Sequence, residues 1–402
     1  MPKDTVVIVD PFSTGALIAP ELKKRGIKCY GVLSSETIPQ RFTQSYTGEG
    51  FVDKTLYSAG EIAGVIDSNN LLAIIPGSET GVYCAEKLAS PYNVTKNDYR
   101  TTDYRRKKSI MQQQLALAGL KHIASKKISQ TNTDISDINS DSGYVIKPDS
   151  SCLTDGVVFF DNKEEATNWI SQINWEQTNI TGVPNEYYLV QEKLDGEEFV
   201  VDLVVDGQDI KVCTLCRYKK GLHNGSHFVY QSLEVLDVND PNYTPLIEYA
   251  KKSVMVLGVE FGPAHLEIMN TKNGPILIEL GARLHGGIAP LVFEKCYSPG
   301  LLTSVIDMLT QSFDTTPVRL TSKARIVFLI NEKEHFTISD TAALTEQMLS
   351  VKCVEHVKFF INDNQPVPLT IDLSNCPGIV SLVATSDTEL DISEQQIRNL
   401  FQ

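Results

Sequence analysis

The feature that most restricts the fold of this chain is a pair of apolar segments joined by Asn273-Gly274, a dipeptide that favours a tight turn between antiparallel strands. Glu267 and Glu279 stand about equally far from this turn, so a hairpin would place them opposite each other on one face. The neighbouring side chains are mostly apolar, which predicts buried strands and two carboxylates that repel each other. A divalent cation such as Mg²⁺, which prefers oxygen ligands, would relieve that repulsion. The alternative is an exposed hairpin whose carboxylates form salt bridges.

Further polar residues flank this hairpin. Arg283 follows Glu279 at the start of a glycine-rich loop, where a guanidinium would suit a transferring phosphoryl group or an acyl phosphate. His265 shares a face with Glu267, because side chains two residues apart in a strand point the same way. Hydrogen-bonded structural histidines are the alternative to a ligand role for the candidates in this region. The candidates for substrate contact are His265, His285, Gly286 and Gly287.

The composition narrows the choice of partners and of cellular compartment. The net charge of −14, from 36 Lys+Arg against 50 Asp+Glu, argues against a nucleic acid or an anionic membrane as partner. Among the 8 cysteines only Cys213 and Cys216 form a C-x-x-C, and no second pair completes a zinc site, so we expect buried free thiols in a reducing compartment. The N-terminus lacks a signal-peptide layout, and no apolar run is long enough for a membrane helix. We therefore expect a cytoplasmic protein.

The first part of the chain has the pattern of an open α/β sheet. Apolar segments at 5–9, 27–33 and 71–75 alternate with helical and turn-rich stretches, which predicts parallel strands over about residues 1–95. Glu79 follows the third segment, at a strand-to-loop exit where sheets of this kind bind ligands. We consider Glu79 a candidate for holding the amino group of a substrate.

Two segments carry residues that could bind phosphate. Lys147 ends an apolar strand and precedes a loop of small and hydroxyl residues at 150–156, whose backbone amides could approach phosphate oxygens. Basic residues at 105–108 precede apolar residues at helical spacing, which predicts a helix over 100–120. The chain contains neither a G-x-x-x-x-G-K-[ST] loop nor a G-x-G-x-x-G turn, so any phosphates are held in another way.

Two more polar segments allow two interpretations each. Residues 191–198 lie between apolar runs and are either a polar hairpin or a source of carboxylates for an adenine amino group and ribose hydroxyls. Residues 217–230 are unusually basic for this acidic chain. We hypothesise that Arg217 and its neighbours hold a substrate carboxylate or an acyl phosphate, and an exposed loop is the alternative.

Taken in order, these segments resemble the ATP-grasp superfamily over roughly residues 5–310. The sequence runs from a Lys on a linker helix, through Lys-Pro with a small-residue loop and Gln-Glu-Lys-Leu followed by Gly-x-Glu, to a pair of Glu with a trailing Arg. The stretches Gly-Pro-Ala-His-Leu-Glu and Glu-Leu-Gly-Ala-Arg-Leu-His-Gly-Gly look like those of the amino-acid ligases that join two amino acids into dipeptides.

The resemblance implies a role for each matching position. Lys108 looks like the first phosphate-binding lysine, with Lys107 one position away as an alternative, and Lys147 looks like the second. Glu267 and Glu279 look like the magnesium ligands, and Arg283 is similar to the phosphate clamp that acts in catalysis together with Lys147. The remaining nucleotide-binding positions implied by the resemblance are the phosphate loop Ser150, Ser151, Thr154 and Gly156, the adenine hinge Gln191, Glu192, Lys193 and Leu194, and the ribose ligand Glu198.

One position departs from the family pattern. Many members have Asn two residues after the second Glu, as a further metal ligand, and this chain has Gly281 there. A weaker or differently completed second metal site follows as one outcome. Gly at this place also fits the amino-acid ligase branch, so Gly281 is not taken as a sign of inactivity.

The resemblance implies an α/β and α+β architecture: an N-terminal open α/β domain, a two-subdomain ATP-grasp fold and a small C-terminal extension. The expected divisions are the N-terminal domain, the linker helix with the small subdomain, the larger subdomain with the metal hairpin, and the C-terminal α+β extension, at 1–100, 101–195, 196–315 and 316–402.

The implied reaction is amide formation between two amino acids, or between an amino acid and a similar small acid or amine. ATP would phosphorylate a carboxylate, and an amine would attack the acyl phosphate, with one or two Mg²⁺ ions for which Mn²⁺ can substitute. The expected partners are small molecules, without nucleic acid or membrane, and a homodimer is compatible with the pattern. The rival interpretations are an ATP-grasp ligase of the carboxylase or purine type and a nucleotide-binding module without catalysis.

Overall fold

The computed structural model describes residues 3–36, 38, 43–151, 155–180 and 182–402. Within these ranges the strands form two sheets of four strands, one of eight, and a short two-stranded pair. Among the described residues, no helix combines the length and the apolar character that crossing a membrane requires.

The N-terminal domain is built around a parallel sheet in the order β3-β2-β1-β4. The β-branched first strand lies in the middle and is buried along its whole length, as expected for a strand covered on both faces. The three strands predicted from the sequence are confirmed, and the additional strand β3 is too short to show a pattern. The elements of this domain are β1 (Thr5–Val9), α1 (Ile18–Lys24), β2 (Lys28–Leu33), β3 (Leu56–Ser58), β4 (Leu71–Pro76) and α2 (Val82–Ala89).

The predicted linker helix is present as two helices, α3 (Asp103–Arg106) and α4 (Lys108–Leu117). Lys107 separates them with an extended backbone, at φ −109° and ψ 115°. The carboxylate of Asp149, from a distant loop, accepts hydrogen bonds from the Ser109 backbone N–H at 2.7 Å and from its hydroxyl at 2.8 Å. This carboxylate caps the second helix, so that the helix starts at Lys108.

The small subdomain has an antiparallel sheet in the order β5-β8-β6-β7, covered by one helix. Its core contains apolar residues from the strands together with Trp169 and Trp175, which pack against Tyr188. Its elements are β5 (Ser125–Ile128), β6 (Tyr144–Pro148), β7 (Val158–Phe160), α5 (Lys163–Ile170) and β8 (Tyr188–Glu192).

The rest of the chain contains the eight-stranded sheet, in the order β13-β12-β9-β10-β11-β16-β18-β17, together with the short pair β14-β15 and the helices between these strands. The predicted hairpin around Asn273-Gly274 is confirmed as the edge of the large sheet. The last strands of the chain extend the opposite side of the same sheet, although their sequences show only weak patterns. The elements are β9 (Gly196–Asp206), β10 (Asp209–His223), β11 (Ser226–Leu236), α6 (Thr244–Val256), β12 (Phe261–Thr271), β13 (Gly274–Gly281), α7 (Ala289–Cys296), β14 (Tyr297–Ser298), α8 (Leu301–Leu309), β15 (Arg319–Leu320), β16 (Lys323–Phe328), α9 (Thr341–Leu349), β17 (Val354–Phe359), β18 (Gly378–Ala384) and α10 (Asp387–Phe401).

Residues 191–198 connect the two subdomains and do not form a hairpin. Strand β8 pairs with β5 and β6, whereas β9 pairs with β10 and β12. The polar-hairpin interpretation of this segment is therefore wrong, because its two flanking strands belong to different sheets.

The described thiols are free, as the sequence predicts, and most of them are buried. Cys213 and Cys216 are buried, whereas Cys84 and Cys353 are partly exposed. Burial raises the pKa of the Cys213 thiol to about 12, which keeps it protonated and makes it a poor metal ligand.

Candidate active site

The candidate site lies on one face of the eight-stranded sheet. Glu267 pairs directly with Glu279 across the hairpin, and His265 pairs with Gly281. On the other side of β12, His265 pairs with Asp202 of β9. Because paired residues and residues two apart share a face, these side chains project to the same side, with Glu198 of β9 beside them. The cross-strand neighbourhood predicted for the two carboxylates is confirmed.

Lys108 joins this face from the linker. Its Nζ lies 2.9 Å from Oε1 of Glu279 and donates to the carbonyl oxygen of Ser151 at 2.9 Å. Lys107 points elsewhere and forms a half-exposed ion pair with Asp103 at 2.8 Å. Of the two lysines that the sequence left open, Lys108 is therefore the one beside the paired carboxylates.

Lys147 is the second buried cation of the site. Burial lowers the pKa of Lys147 to about 8, and the nearby positive charge of Lys108 acts in the same direction. The carboxylates of Glu279, Glu267 and Glu198 oppose this shift. The protonation of Lys147 therefore depends on the charges close to it, and phosphate oxygens would stabilise its protonated form.

The small-residue loop lies beside Lys108. Ser151 donates from its hydroxyl to Asp155 at 2.8 Å, and the carbonyl oxygen of Ser150 accepts from the Asn179 amide at 2.9 Å. Gly156 has φ +68°, a conformation that favours glycine. Thr154, the remaining loop residue singled out from the sequence, lies outside the described residues.

The hinge residues are tied to the small sheet. The Gln191 amide donates to the Ser125 hydroxyl at 2.9 Å. The Glu192 carboxylate accepts from the backbone N–H of Ala124 at 2.9 Å. The backbone N–H of Lys193 donates to the Gly143 carbonyl at 2.9 Å. After Lys193 the chain continues through the half-buried Leu194 and then enters β9. The segment is thus anchored on one side and spans from one subdomain to the other.

Glu198 has a cationic partner that the sequence did not single out. Nζ of Lys220 lies 2.7 Å from Oε2 of Glu198 and 4.2 Å from the ring centroid of Tyr230. Burial raises the pKa of Glu198, while the charge of Lys220 opposes that rise. Lys220 lies in the basic segment 217–230, and the unusual basicity of that whole segment was the only feature of the sequence that pointed to it.

Arg217, the residue of that segment chosen from the sequence, lies on the opposite face of the sheet. Arg217 pairs with Phe199 of β9, which in turn pairs with Ile268 of β12, so these three side chains share one face of the sheet. Glu267 is the residue next to Ile268 in its strand and therefore points to the other face. The Arg217 guanidinium contacts Glu197 at 3.2 Å and Glu234 at 3.0 Å. The structure therefore does not bring Arg217 to the paired carboxylates, because strand alternation turns it away from them.

Asp202 organises the two histidines beneath the paired carboxylates. Its carboxylate lies 2.8 Å from Nδ1 of His265 and 3.0 Å from Nδ1 of His285, and it accepts a short hydrogen bond from the Thr214 hydroxyl. Nε2 of His265 lies 3.6 Å from Oε1 of Glu267. Asp202 follows no motif, and only its place on β9 reveals its role.

Hydrogen bonding sets the charges of this group. Burial alone would raise the pKa of Asp202, but the histidines outweigh it and hold the pKa well below the usual range. Burial would lower the pKa of His265, but the hydrogen bond to Asp202 and the nearby Glu267 carboxylate raise it to about 9. Burial lowers the pKa of His285, and the neighbouring His265 charge acts with it. The arrangement corresponds to one charged histidine held between two carboxylates.

Glu79 reaches the site from the N-terminal domain. Its Oε2 lies 2.9 Å from Nε of Arg283, and its Oε1 forms an ion pair with Arg106 of the linker. Burial alone would raise the pKa of Glu79, but the charges of Arg106, Arg283 and Lys108 lower it. The structure brings Glu79 to the phosphate-clamp candidate, while a role in holding an amino group stays a prediction. Gly286 and Gly287, which were also predicted to contact the substrate, are exposed in the loop between His285 and α7.

Comparisons with known proteins agree on one family. The model of the ATP-grasp domain matches residues 141–290. Dapdiamide A synthase of Enterobacter agglomerans is 30% identical over 302 residues, which are 73% of this chain and 70% of that protein. The L-arginine-specific L-amino acid ligase of Bacillus subtilis is 26% identical over 125 residues, 31% of this chain and 30% of that protein.

Solved structures share the fold over nearly the whole chain. An L-amino acid ligase from Bacillus licheniformis aligns with a TM-score of 0.74 at 16% identity, covering 99% of this chain and 98% of that one. A carboxyaminoimidazole ribonucleotide synthase from Aspergillus clavatus, complexed with ATP, aligns with a TM-score of 0.72 at 11% identity, covering 100% and 99%.

Proposed function

The chain belongs to the ATP-grasp family, and we propose that it is a ligase that uses ATP and Mg²⁺ to join two amino acids, or an amino acid and a similar small acid or amine. One observation carries this proposal: Lys108 meets Glu279 directly opposite Glu267, with the buried Lys147 beside them. Two cations next to two carboxylates are the groups needed to hold a triphosphate together with a divalent cation.

The donor set fits a magnesium ion. Glu267 and Glu279 are cross-strand neighbours, and their side chains keep 28% and 27% of their surface exposed. Carboxylate oxygens are the ligands that Mg²⁺ prefers, usually shared with phosphate oxygens. When bound, the ion would supply charge neutralisation for the phosphates.

The side chains of the site would then divide the remaining work. Lys108 and Lys147 would bind the phosphates, Glu198 would bind the ribose, and the hinge at 191–194 would meet the adenine. Arg283 would stabilise the negative charge of the transferring phosphoryl group. No side-chain nucleophile is required, because the enzyme mainly positions its substrates and stabilises charge.

The proposed reaction has two steps. A substrate carboxylate oxygen attacks the γ-phosphorus of ATP, which yields an acyl phosphate and ADP. The amine of the second substrate then attacks the acyl carbon, loses a proton and expels inorganic phosphate. The products are one amide, one ADP and one phosphate for each ATP consumed.

The relatives favour amino acids over other substrates. Both sequence relatives described above carry names of synthases or ligases, and one of them names an amino acid as its substrate. The same fold also serves carboxyaminoimidazole ribonucleotide synthesis in a solved structure, but at 11% identity that match reports the fold alone. We therefore keep ligation of the purine type as the competing function.

Phosphate release from ATP and Mg²⁺, measured with amino acids singly and in pairs, tests the proposal. We expect release only with particular pairs, together with a product whose mass is their sum minus water. Glu279→Gln should reduce this turnover by about 10²-fold or more, because it removes charge where the cation and phosphates are held. The exposed Glu248→Gln serves as the matched control.

Two results would overturn the proposal in different ways. Release that requires bicarbonate and an aminoimidazole ribonucleotide, instead of amino acids, would establish the competing function. Turnover that is unchanged in Glu279→Gln would contradict the assignment of the metal site.

A further inference from the structure

Gly281 is the one position of the metal hairpin that departs from the family pattern, and its surroundings explain why. A Cβ atom added at Gly281 would lie 2.9 Å from Oε2 of Glu79 and 3.1 Å from Cζ of Arg283. The first distance is shorter than Cβ atoms adopt and the second is tight, so the Glu79 carboxylate, the Arg283 guanidinium or both would have to shift. The conflict is with the ends of two side chains, so Gly281 leaves room for the contact between the Glu79 carboxylate and the Arg283 guanidinium.

That space lies on the face of the paired carboxylates. Gly281 follows Glu279 by two residues in the same strand and pairs with His265, so a side chain there would project toward the metal face. A carboxylate from another domain fills the volume instead. Glu79 is only 8% exposed and comes from the loop after β4.

The contacts of Glu79 fix the orientation of Arg283. Nε of Arg283 lies 2.9 Å from the Glu79 carboxylate, and Nη1 donates to the Leu284 carbonyl at 3.0 Å. Arg106 holds the other carboxylate oxygen from the linker. Two directions of the planar guanidinium are thereby set.

We propose that Glu79 supplies, from the N-terminal domain, the side chain that Gly281 lacks, and that it positions the guanidinium of Arg283 at the phosphate site. The inference rests on the proposed function, because it assigns Glu79 to the same ligase site. Glu79 is a positioning residue: it acts on the phosphoryl group through Arg283. It also makes the N-terminal domain part of the phosphate site.

The first test is Glu79→Gln, which keeps the size of the side chain and removes its charge. We expect kcat for amino-acid-dependent phosphate release to fall by about 10- to 100-fold, since misplacing a catalytic group by about 1 Å can cost 10² in rate. The affinity for a non-hydrolysable ATP analogue with Mg²⁺ should change by less than about 3-fold, because the interaction grows as the phosphoryl group transfers. The exposed Glu49→Gln is the matched control.

The second test is Gly281→Ala, which leaves Glu79 intact and places a methyl group against both its carboxylate and the Arg283 guanidinium, so that their contact is disturbed. It should lower kcat in the same manner, and the double variant should lose no more than the worse single variant, as expected when two residues act through one contact. Gly64→Ala is the control, because a Cβ at Gly64 meets no atom within 4 Å.

Crystal structures of both variants give a measurement that is independent of turnover. We expect the Arg283 guanidinium to be displaced in each. A guanidinium that stays in place in both would overturn the inference, as would a wild-type kcat in both. A parallel loss of kcat, analogue affinity and melting temperature would also overturn it, by showing a merely structural role. Wild-type protein without turnover on any amino-acid pair would instead contradict the proposed function, and the crystallographic comparison would still decide the positioning role.

Discussion

Replacing Asp202 with Asn should destabilise the large sheet, and the contacts of Asp202 set the size of the effect. The carboxylate accepts from Nδ1 of His265 at 2.8 Å, from Nδ1 of His285 at 3.0 Å, and from the Thr214 hydroxyl. An amide keeps one oxygen for one of these donors, and its NH₂ group faces another donor. The change thus removes at least one charge-assisted hydrogen bond and leaves a buried donor without an acceptor. We expect a loss of about 2–4 kcal/mol in the free energy of unfolding.

Urea unfolding followed by far-ultraviolet circular dichroism measures this loss. Tryptophan fluorescence is unsuitable, since both tryptophans, Trp169 and Trp175, belong to the small subdomain and would report that part of the molecule. The exposed Asp209→Asn, in the next strand, is the matched control and should stay within about 0.5 kcal/mol of the wild type. An Asp202→Asn variant as stable as this control would refute the view that Asp202 holds the two histidines together.

The same variant should weaken the metal site without changing any proposed ligand. His265 connects Asp202 to Glu267, with Nε2 3.6 Å from the Glu267 carboxylate. Loss of a supporting contact behind a metal ligand typically costs 10- to 100-fold in metal affinity. Binding of Mn²⁺ in the presence of a non-hydrolysable ATP analogue, followed by electron paramagnetic resonance, measures this directly. Affinity equal to that of Asp209→Asn would show that His265 does not support Glu267.

Two further substitutions test other contacts. Lys108→Met should lower kcat/KM for ATP by about 10²-fold, because it removes a cation at the phosphate site. Lys107→Met should change kcat/KM by less than about 3-fold, because Lys107 forms only a half-exposed ion pair. Steady-state kinetics with ATP as the varied substrate distinguish the two variants, and equal effects would contradict the assignment of Lys108. Arg105→Met should cost about 3–5 kcal/mol in unfolding free energy, since it leaves Glu86 as a buried charge without its partner. Adding Glu86→Leu removes the unpaired charge but also the acceptor of Asn97 and Thr102, so urea titrations should show only part of the loss restored. A double variant no more stable than Arg105→Met alone would argue against a charge penalty.

The metal hairpin could be predicted from the sequence because its geometry is local. The two strands are joined by a tight turn at which Thr271 pairs with Gly274. This register alone would place Ile278 opposite Glu267, but an irregularity next to Glu267 shifts the pairing by one residue, so that Glu279 lies there instead. The sequence therefore indicated that the two carboxylates are neighbours, although not the irregularity that makes them direct partners. The parallel strands of the N-terminal domain were also visible, since buried β-branched runs such as 5–9 carry their own signal. In these segments the residues that meet in space are close in the chain or repeat a clear pattern.

The other contacts depend on pairing between distant segments. Arg217 lies on the far face because of the register between β9 and β10, and this register shifts at an irregularity between Val212 and Thr214. One extra residue in a strand reverses the side to which all later side chains point. Asp202 and Glu79 could not be assigned partners for a similar reason: their contacts lie 63 and 204 residues away in the chain, at His265 and Arg283.

The ion pair between Lys108 and Glu279 has a consequence for ligand binding. The Lys108 side chain is 7% exposed and that of Glu279 is 27% exposed, so each charge is partly desolvated and is compensated by the other. A phosphate that takes Lys108 leaves Glu279 without its partner, and a divalent cation that takes Glu279 does the same to Lys108. Either ligand alone therefore meets an electrostatic cost that the two together avoid. Because such coupling is reciprocal, the nucleotide should bind more tightly with the cation present, and the cation more tightly with the nucleotide present, by the same factor.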